Sequence, residues 1–170
     1  MVDVREMTGA DVQAVSRVRV LGWRAAYAGL VPQPYLDGMS VEDDARQRRA
    51  WMSDPRRQGS DLVADAGAGP VGWVSVGPYR GATPESRVGE VYALYVRPDL
   101  IGQGIGRALL DTAHACAKAR GFGTVALWVL GGNEGARRFY EKAGYVADGE
   151  EQSDTYDDVE LTELRYTRSI

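Results

Sequence analysis

Hydrophobic and polar positions alternate over the first seven residues. Val2, Val4 and Met7 are set against Asp3, Arg5 and Glu6, and this two-residue period predicts a short opening strand. The period then lengthens. Val12, Val15, Val18, Trp23 and Ala26 recur at helical intervals behind Thr8-x-x-Asp11, which reads as a capping box. The helix they predict runs to about residue 28, where Gly29 ends it and Pro32 and Pro34 mark the break. Ser40-x-x-Asp43 repeats the capping signature. It opens a second, highly charged helix that ends near Met52, before Asp54-Pro55.

Shorter periods follow. Asp61–Asp65 and Val71–Val76 are brief apolar runs joined by Gly67-Ala68-Gly69-Pro70, a hairpin signal. A loop rich in Gly, Pro and charge covers residues 77–88, and Glu90–Val96 has the strongly β-forming composition of a central strand. After a glycine loop, Ile105, Ala108, Leu109, Thr112 and Cys116 mark a helix face up to about Arg120, with Gly121 as its C-cap. Thr124–Val129 reads as a buried strand, Glu134 to Ala143 as a helix stopped by Gly144, and Val159–Thr167 as a final strand. This order predicts one mixed α/β (α+β) domain over residues 1–170, with helices flanking a largely antiparallel sheet.

Composition narrows the function classes. At 170 residues the chain can bury a core without staples. The net charge of −4 is not a nucleic-acid footprint, and the arginines from Arg46 to Arg57 are interleaved with Asp43, Asp44 and Asp54 as on a solvated helix face. Cys116 is the only cysteine and His114 the only histidine, so neither a disulfide framework nor a cysteine-based zinc cluster can form, and no metal is expected. No apolar run approaches the ~18 residues of a membrane span, and the N-terminus has no signal-peptide core. The expectation is a cytoplasmic protein without nucleic-acid or membrane partners, for which a homodimer is allowed.

The most informative stretch runs from Val96-Arg97-Pro98 to Gly102-Gln103-Gly104-Ile105-Gly106-Arg107. A strand leads into alternate glycines, and these lead into a helix whose first N–H groups lack partners, an arrangement suited to phosphate oxygens. A plain tight turn between strand and helix is the alternative. The glycine spacing is not that of a Rossmann loop, and no Gly-Lys-Ser/Thr follows as in a Walker loop, which argues against a dehydrogenase or nucleotide kinase.

The segment resembles the coenzyme A loop of the GNAT acetyltransferases, Arg/Gln-x-x-Gly-x-Gly/Ala after a strand ending in Val-x-Pro. Gly104 and Gly106 match its glycines, while Ile101 stands where Arg or Gln is usual. Asn133, Ala136 and Phe139-Tyr140-Glu141-Lys142-Ala143-Gly144-Tyr145 resemble the family's second coenzyme A segment, Asn-x-x-Ala-x-x-Phe-Tyr-x-x-x-Gly-Phe. Both motifs occur in the family's order, and the likeness extends over almost the whole chain.

The resemblance implies a GNAT fold and transfer of acetyl from acetyl-coenzyme A to a primary amine of a small molecule or peptide. A non-catalytic coenzyme A-binding module, or an enzyme using another acyl group, is the alternative. Leu94, Tyr95, Val96, Gly102, Gln103, Gly104, Ile105, Gly106, Arg107, Asn133 and Tyr140 are the implied coenzyme A residues, with a strand bulge near Leu94-Tyr95-Val96 freeing an oxyanion donor. Such a transfer needs the ammonium deprotonated, the tetrahedral oxyanion stabilised and the leaving thiolate protonated. Glu90 resembles the family's general base, expected beside Tyr92 and Trp73; its bland reading is a solvated strand-end acid, and Asp154, Asp157, Asp158 and Glu160 are rivals. Tyr140 resembles the general acid, although Phe139-Tyr140 also suits a core pair. Trp23, Tyr27, Tyr35, Tyr79 and Tyr156 are candidates for lining the acceptor cleft.

Overall fold

A computed structural model describes residues 1–170. The elements are β1 (Asp3–Glu6), α1 (Val12–Ala26), α2 (Gln33–Asp37), α3 (Val41–Met52), β2 (Ser60–Asp65), β3 (Pro70–Pro78), β4 (Val88–Val96), α4 (Ile105–Ala119), β5 (Thr124–Leu130), α5 (Glu134–Lys142), β6 (Val146–Tyr156) and β7 (Val159–Ser169). One seven-stranded sheet runs in the order β1-β2-β3-β4-β5-β7-β6. Every pairing is antiparallel except β4 with β5. The mixed, largely antiparallel sheet flanked by helices is the predicted class. No helix is long and apolar enough to cross a membrane.

Alternation along β3 explains the layering. Val74 and Val76 face the core side with Leu62, Ala64 and Val91, where Leu109, Leu110, Ala113 and Ala117 of α4 cover them. Gly72 lies on the same side, and a Cβ there would come within 2.9 Å of Leu109 Cδ1, so the missing side chain lets α4 approach the sheet. Trp73 points to the opposite face, packing with Val15 of α1 and Val63 of β2. Leu109 and Leu110 are both fully buried, and truncating such a leucine typically costs about 2–5 kcal/mol.

Both predicted caps form: Thr8 opens a 3-10 turn, Gly9–Asp11, that leads into α1, and Ser40 caps α3. The Asp11 carboxylate accepts the Thr8 N–H at 2.8 Å, and Ser40 Oγ accepts the Asp43 N–H at 3.2 Å. Arg5 bridges Asp11 and Asp65 at 2.8 and 2.7 Å, tying α1 to the sheet edge and holding the Asp11 carboxyl down at about 2.

Three features depart from expectation. The proline break contains α2, because Pro34 falls in its first turn, where a missing N–H costs nothing. Pattern reading leaves β6 as loop, yet it is an eleven-residue strand exposed over all but its last position. An edge strand paired only to β7 needs no apolar face, and its acidic residues discourage further pairing. The buried line of α4 is Ile105, Leu109, Leu110, Ala113, His114 and Ala117, rotated from the predicted one; Thr112 is only half-buried and donates back to the Ala108 carbonyl at 2.9 Å. Cys116 is half-buried against the core.

Candidate active site

Two parallel central strands, β4 and β5, deliver their C-terminal ends to the same end of the sheet, and they part company early. β4 pairs with β5 only over Val88, Gly89 and Glu90, opposite Thr124, Val125 and Ala126. Beyond Glu90 the strands diverge, so the β5-facing side of Val91–Val96 carries backbone groups with no strand partner. The bulge lies at Tyr92, where the register with β3 slips between Ser75–Ala93 and Val76–Val91. This corrects the sequence placement near Leu94-Tyr95-Val96. Those three residues lie on regular strand, along the open edge that the bulge helps to create.

Both helices that follow the strands begin at the wide end of this wedge. α4 starts at Gly104, whose φ of 84° is left-handed, and no side chain caps that end. A Cβ at Gly104 would meet nothing within 4 Å, so glycine is required here by conformation alone. Gly102 is also left-handed, with φ 86°. The loop 102–107 therefore presents uncapped amides and the positive end of a fifteen-residue helix. Ile101 is 68% exposed at the loop's rim. α5 starts at Asn133, whose side-chain oxygen accepts the Ala136 N–H at 3.2 Å, leaving its amide hydrogens free.

Tyr140 projects from α5 into the core beside Phe139 and Tyr145, with ring centroids 5.2 and 5.7 Å away. Its hydroxyl has no protein hydrogen-bond partner and is not among the fully buried unpartnered atoms. Burial, and secondarily Tyr27, pushes its phenol well above the ordinary value, so it keeps its proton at neutral pH. Tyr27 in turn shares a 3.1 Å hydrogen bond with the Tyr95 hydroxyl. Tyr140 is thus a core residue whose hydroxyl stays protonated.

Glu90 stands where the wedge begins, on the α1 face of the sheet, and is 1% exposed. Its neighbours differ from expectation. Trp73 is not beside it; that indole donates to Asp61 at 3.0 Å and lies 4.2 Å beneath the Arg48 guanidinium. Tyr92 is nearby, raised to about 12 by burial and by the Glu90 charge. The principal partner is Arg80, which donates to Oε2 from Nε at 3.0 Å and from NH2 at 2.6 Å, and to Oε1 from its backbone N–H at 3.1 Å. Arg80 lies in the loop after β3, with its side chain 65% exposed. The carboxylate is thus neither solvated nor free, because one loop residue satisfies both oxygens.

The rival acids Asp154, Asp157, Asp158 and Glu160 are all exposed. Pattern reasoning missed Glu163. It is half-buried on β7, paired opposite Leu130 and held by Gln152 Nε2 at 2.6 Å. Its charge reaches Arg80, Tyr27 and Tyr156. Arg80 was missed because only the hairpin between β3 and β4 brings it back onto Glu90. Of the predicted aromatics, Trp23, Tyr27, Tyr35 and Tyr156 form one cluster, while Tyr79 stands apart and accepts from Arg165 at 3.2 Å.

A family model described as the acetyltransferase (GNAT) family matches residues 23–145. The uncharacterized N-acetyltransferase YuaI of Bacillus subtilis is 31% identical over 130 residues, which cover 76% of this chain and 72% of that protein. Mycothiol acetyltransferase of Beutenbergia cavernae is 36% identical over 129 residues, covering 73% of this chain; the match spans only 40% of that longer protein. Among solved structures, the PaiA N-acetyltransferase of Thermoplasma acidophilum in complex with coenzyme A superposes with a TM-score of 0.78, covering 100% and 99% of the two chains at 19% identity. YncA of Salmonella typhimurium with acetyl-CoA gives 0.74 at 17% identity, covering 99% and 94%.

Proposed function

The chain belongs to the GNAT family of acetyltransferases, and from that membership we propose that it moves an acetyl group from acetyl-coenzyme A to a primary amine of a small molecule or peptide. Transfer is direct, within a ternary complex, and residues 1–170 act as one catalytic domain. The observation that carries this proposal is the wedge between β4 and β5, with an uncapped helix N-terminus at its wide end. Relatives named as acetyltransferases and fold neighbours holding coenzyme A or acetyl-CoA support it.

Each part of the wedge has a task in this proposal. The amides from Gly102 to Arg107 and the positive end of α4 take the pyrophosphate. The unpaired backbone along Leu94, Tyr95 and Val96 receives the pantetheine arm as an added strand, and Asn133 offers it the amide hydrogens its cap leaves free. Exposed Ile101 contributes no charge, so the backbone provides most of the hold.

The amine approaches on the α1 face. Glu90 takes the ammonium proton, and the freed nitrogen attacks the thioester carbonyl carbon. The C–N bond forms, the nitrogen gives up its second proton to solvent, the C–S bond breaks, and the electron pair leaves on sulfur. Tyr140 keeps its proton and donates a hydrogen bond to that sulfur. The thiolate of a thiol of pKa about 8.5 is a weaker base than a buried phenolate, so Tyr140 stabilises the thiolate and solvent completes its protonation. No covalent enzyme intermediate is needed.

Thermal denaturation with acetyl-coenzyme A tests the wedge. A ligand at 100 times its Kd adds about 2.7 kcal/mol of stability, a readily measured rise in Tm. Gly104→Glu puts bulk and negative charge where amides meet phosphate and is expected to abolish the rise. A folded Gly104→Glu protein that binds as tightly as wild type overturns the proposed site.

A further inference from the structure

Beside the Arg80–Glu90 pair, an open cavity of about 1190 Å³ lies between α3, the outer parts of β3 and β4, and the loop 79–87. It reaches the reaction edge at Tyr92 and Ala93. Its charge is opposite to that of the whole molecule. Five arginines line it, Arg48, Arg56, Arg80, Arg87 and Arg120, against Asp61 and Glu85, in a chain of net charge −4. Asp61 is already committed to Arg57 and to the Trp73 indole. Arg48 and Arg56 are held by Asp44 and Asp54.

Arg87 and Arg120 are different. Neither forms an ion pair; Arg87 donates only to the Gly121 carbonyl at 3.2 Å and Arg120 only to the Gln58 carbonyl at 2.7 Å. Their remaining N–H groups, in the planar fork that suits carboxylate and phosphate oxygens, border the cavity. Two cations without a recorded ion pair share the cavity with a third that holds the Glu90 carboxylate, a set suited to an anion.

We propose that the acceptor is zwitterionic: a primary amine that also carries an oxyanion, carboxylate or phosphate, received by Arg87, Arg120 and Arg80. This deepens the acetyl-transfer proposal and rests on it. The Arg80–Glu90 pair is the complement of such a molecule. On binding, Arg80 exchanges the Glu90 carboxylate for the ligand's oxyanion, and Glu90 exchanges the guanidinium for the ligand's ammonium. Charge is conserved at both places, so the buried carboxylate is never left alone, an arrangement that is costly in low dielectric. The same exchange sets the ammonium on the carboxylate that takes its proton. A neutral-bodied amine offers Arg80 nothing in return and meets Glu90 still occupied.

The test compares matched amines: glycine and 4-aminobutyrate against their methyl esters, and O-phosphoethanolamine against ethanolamine. Two readouts are used, the initial rate with acetyl-coenzyme A and the Tm shift in the presence of coenzyme A. At least one oxyanion-bearing amine is expected to exceed its neutral partner by tenfold or more in kcat/KM, and to raise Tm where the partner does not. In Arg87→Met/Arg120→Met that ratio falls toward one, chiefly through KM. In Arg87→Lys/Arg120→Lys, which keeps both charges and guards against misfolding as the cause, part of it returns. Equal rates and equal shifts for every acid and its neutral partner overturn the proposal while leaving acetyl transfer standing. Charge-selective binding that Arg87→Met/Arg120→Met abolishes, with no amine turned over, supports the cavity and contradicts acetyl transfer instead.

Discussion

Glu90→Gln preserves the size of the side chain but removes the group that accepts a proton. Turnover is expected to fall by roughly 10²–10⁴-fold, the usual span for general acid–base catalysis, and the acidic limb of the pH–rate profile to flatten. Acetyl-coenzyme A affinity, measured by calorimetry, is expected to stay near wild type, because the carboxylate lies on the α1 face, where the amine is proposed to approach. Tyr140→Phe behaves differently. It removes one hydrogen bond to the leaving sulfur, so turnover falls while the acidic limb persists. Wild-type turnover in Glu90→Gln with an unaltered profile would move the base to another acid on the same face, of which half-buried Glu163 is the strongest. At this scale the sequence supplies identities but not partners. Glu90 and Tyr140 were singled out by the family resemblance. The Arg80 hold on Glu90 was not, since it depends on how a ten-residue separation folds back across a hairpin.

The α4 N-terminus separates conformation from contact. Gly104→Ala adds a methyl that meets nothing within 4 Å, so its cost is the left-handed backbone alone, about 1–2 kcal/mol. The melting temperature is expected to drop modestly while acetyl-coenzyme A still binds, unlike Gly104→Glu. Ile101→Arg introduces a guanidinium at the exposed rim of the same loop, and a charge-assisted contact with phosphate tightens binding by about 1 kcal/mol, read as a lower Kd. Unchanged or weaker affinity would place the pyrophosphate on another path. Elements with strong periods or strong punctuation were legible from residue patterns: the caps at Thr8 and Ser40, the glycine loop and the alternating central strands all agree with the fold. β6 was not, because an exposed edge strand such as Val146–Tyr156 has no buried face to impose alternation. The face of α4 was ambiguous for the opposite reason. Its sequence is apolar on both candidate stripes, and only contact with Gly72 and its neighbours selects one.

For the molecule as a whole, acid sensitivity follows from one buried imidazole. Arg168 donates to His114 Nδ1 at 3.2 Å, so the ring hydrogen sits on Nε2, which is 2.6 Å from the Tyr145 hydroxyl. Burial, then the Arg168 charge, lowers the His114 pKa from 6.5 to about 4, with Asp111 opposing and Arg107 adding to the shift. Between these values the unfolded chain binds a proton that the folded chain does not, so stability falls as pH drops from 6.5 towards 4. His114→Gln can accept from Arg168 and donate to Tyr145 without titrating, and is expected to flatten the fall in Tm across that window. An unchanged slope would assign acid sensitivity elsewhere.

The wedge is proposed to deliver an acetyl group from acetyl-coenzyme A to an amine. The most direct measurement incubates the protein with acetyl-coenzyme A and a primary-amine library, following free thiol release and acetylated product by mass spectrometry. Thiol release is expected to depend on the amine, with one acetylated amine formed for each thiol released, and both are expected to be lost in Gly104→Glu. Saturable acetyl-coenzyme A binding with no amine-dependent release and no acetylated product, across small amines and peptide N-termini alike, would contradict it.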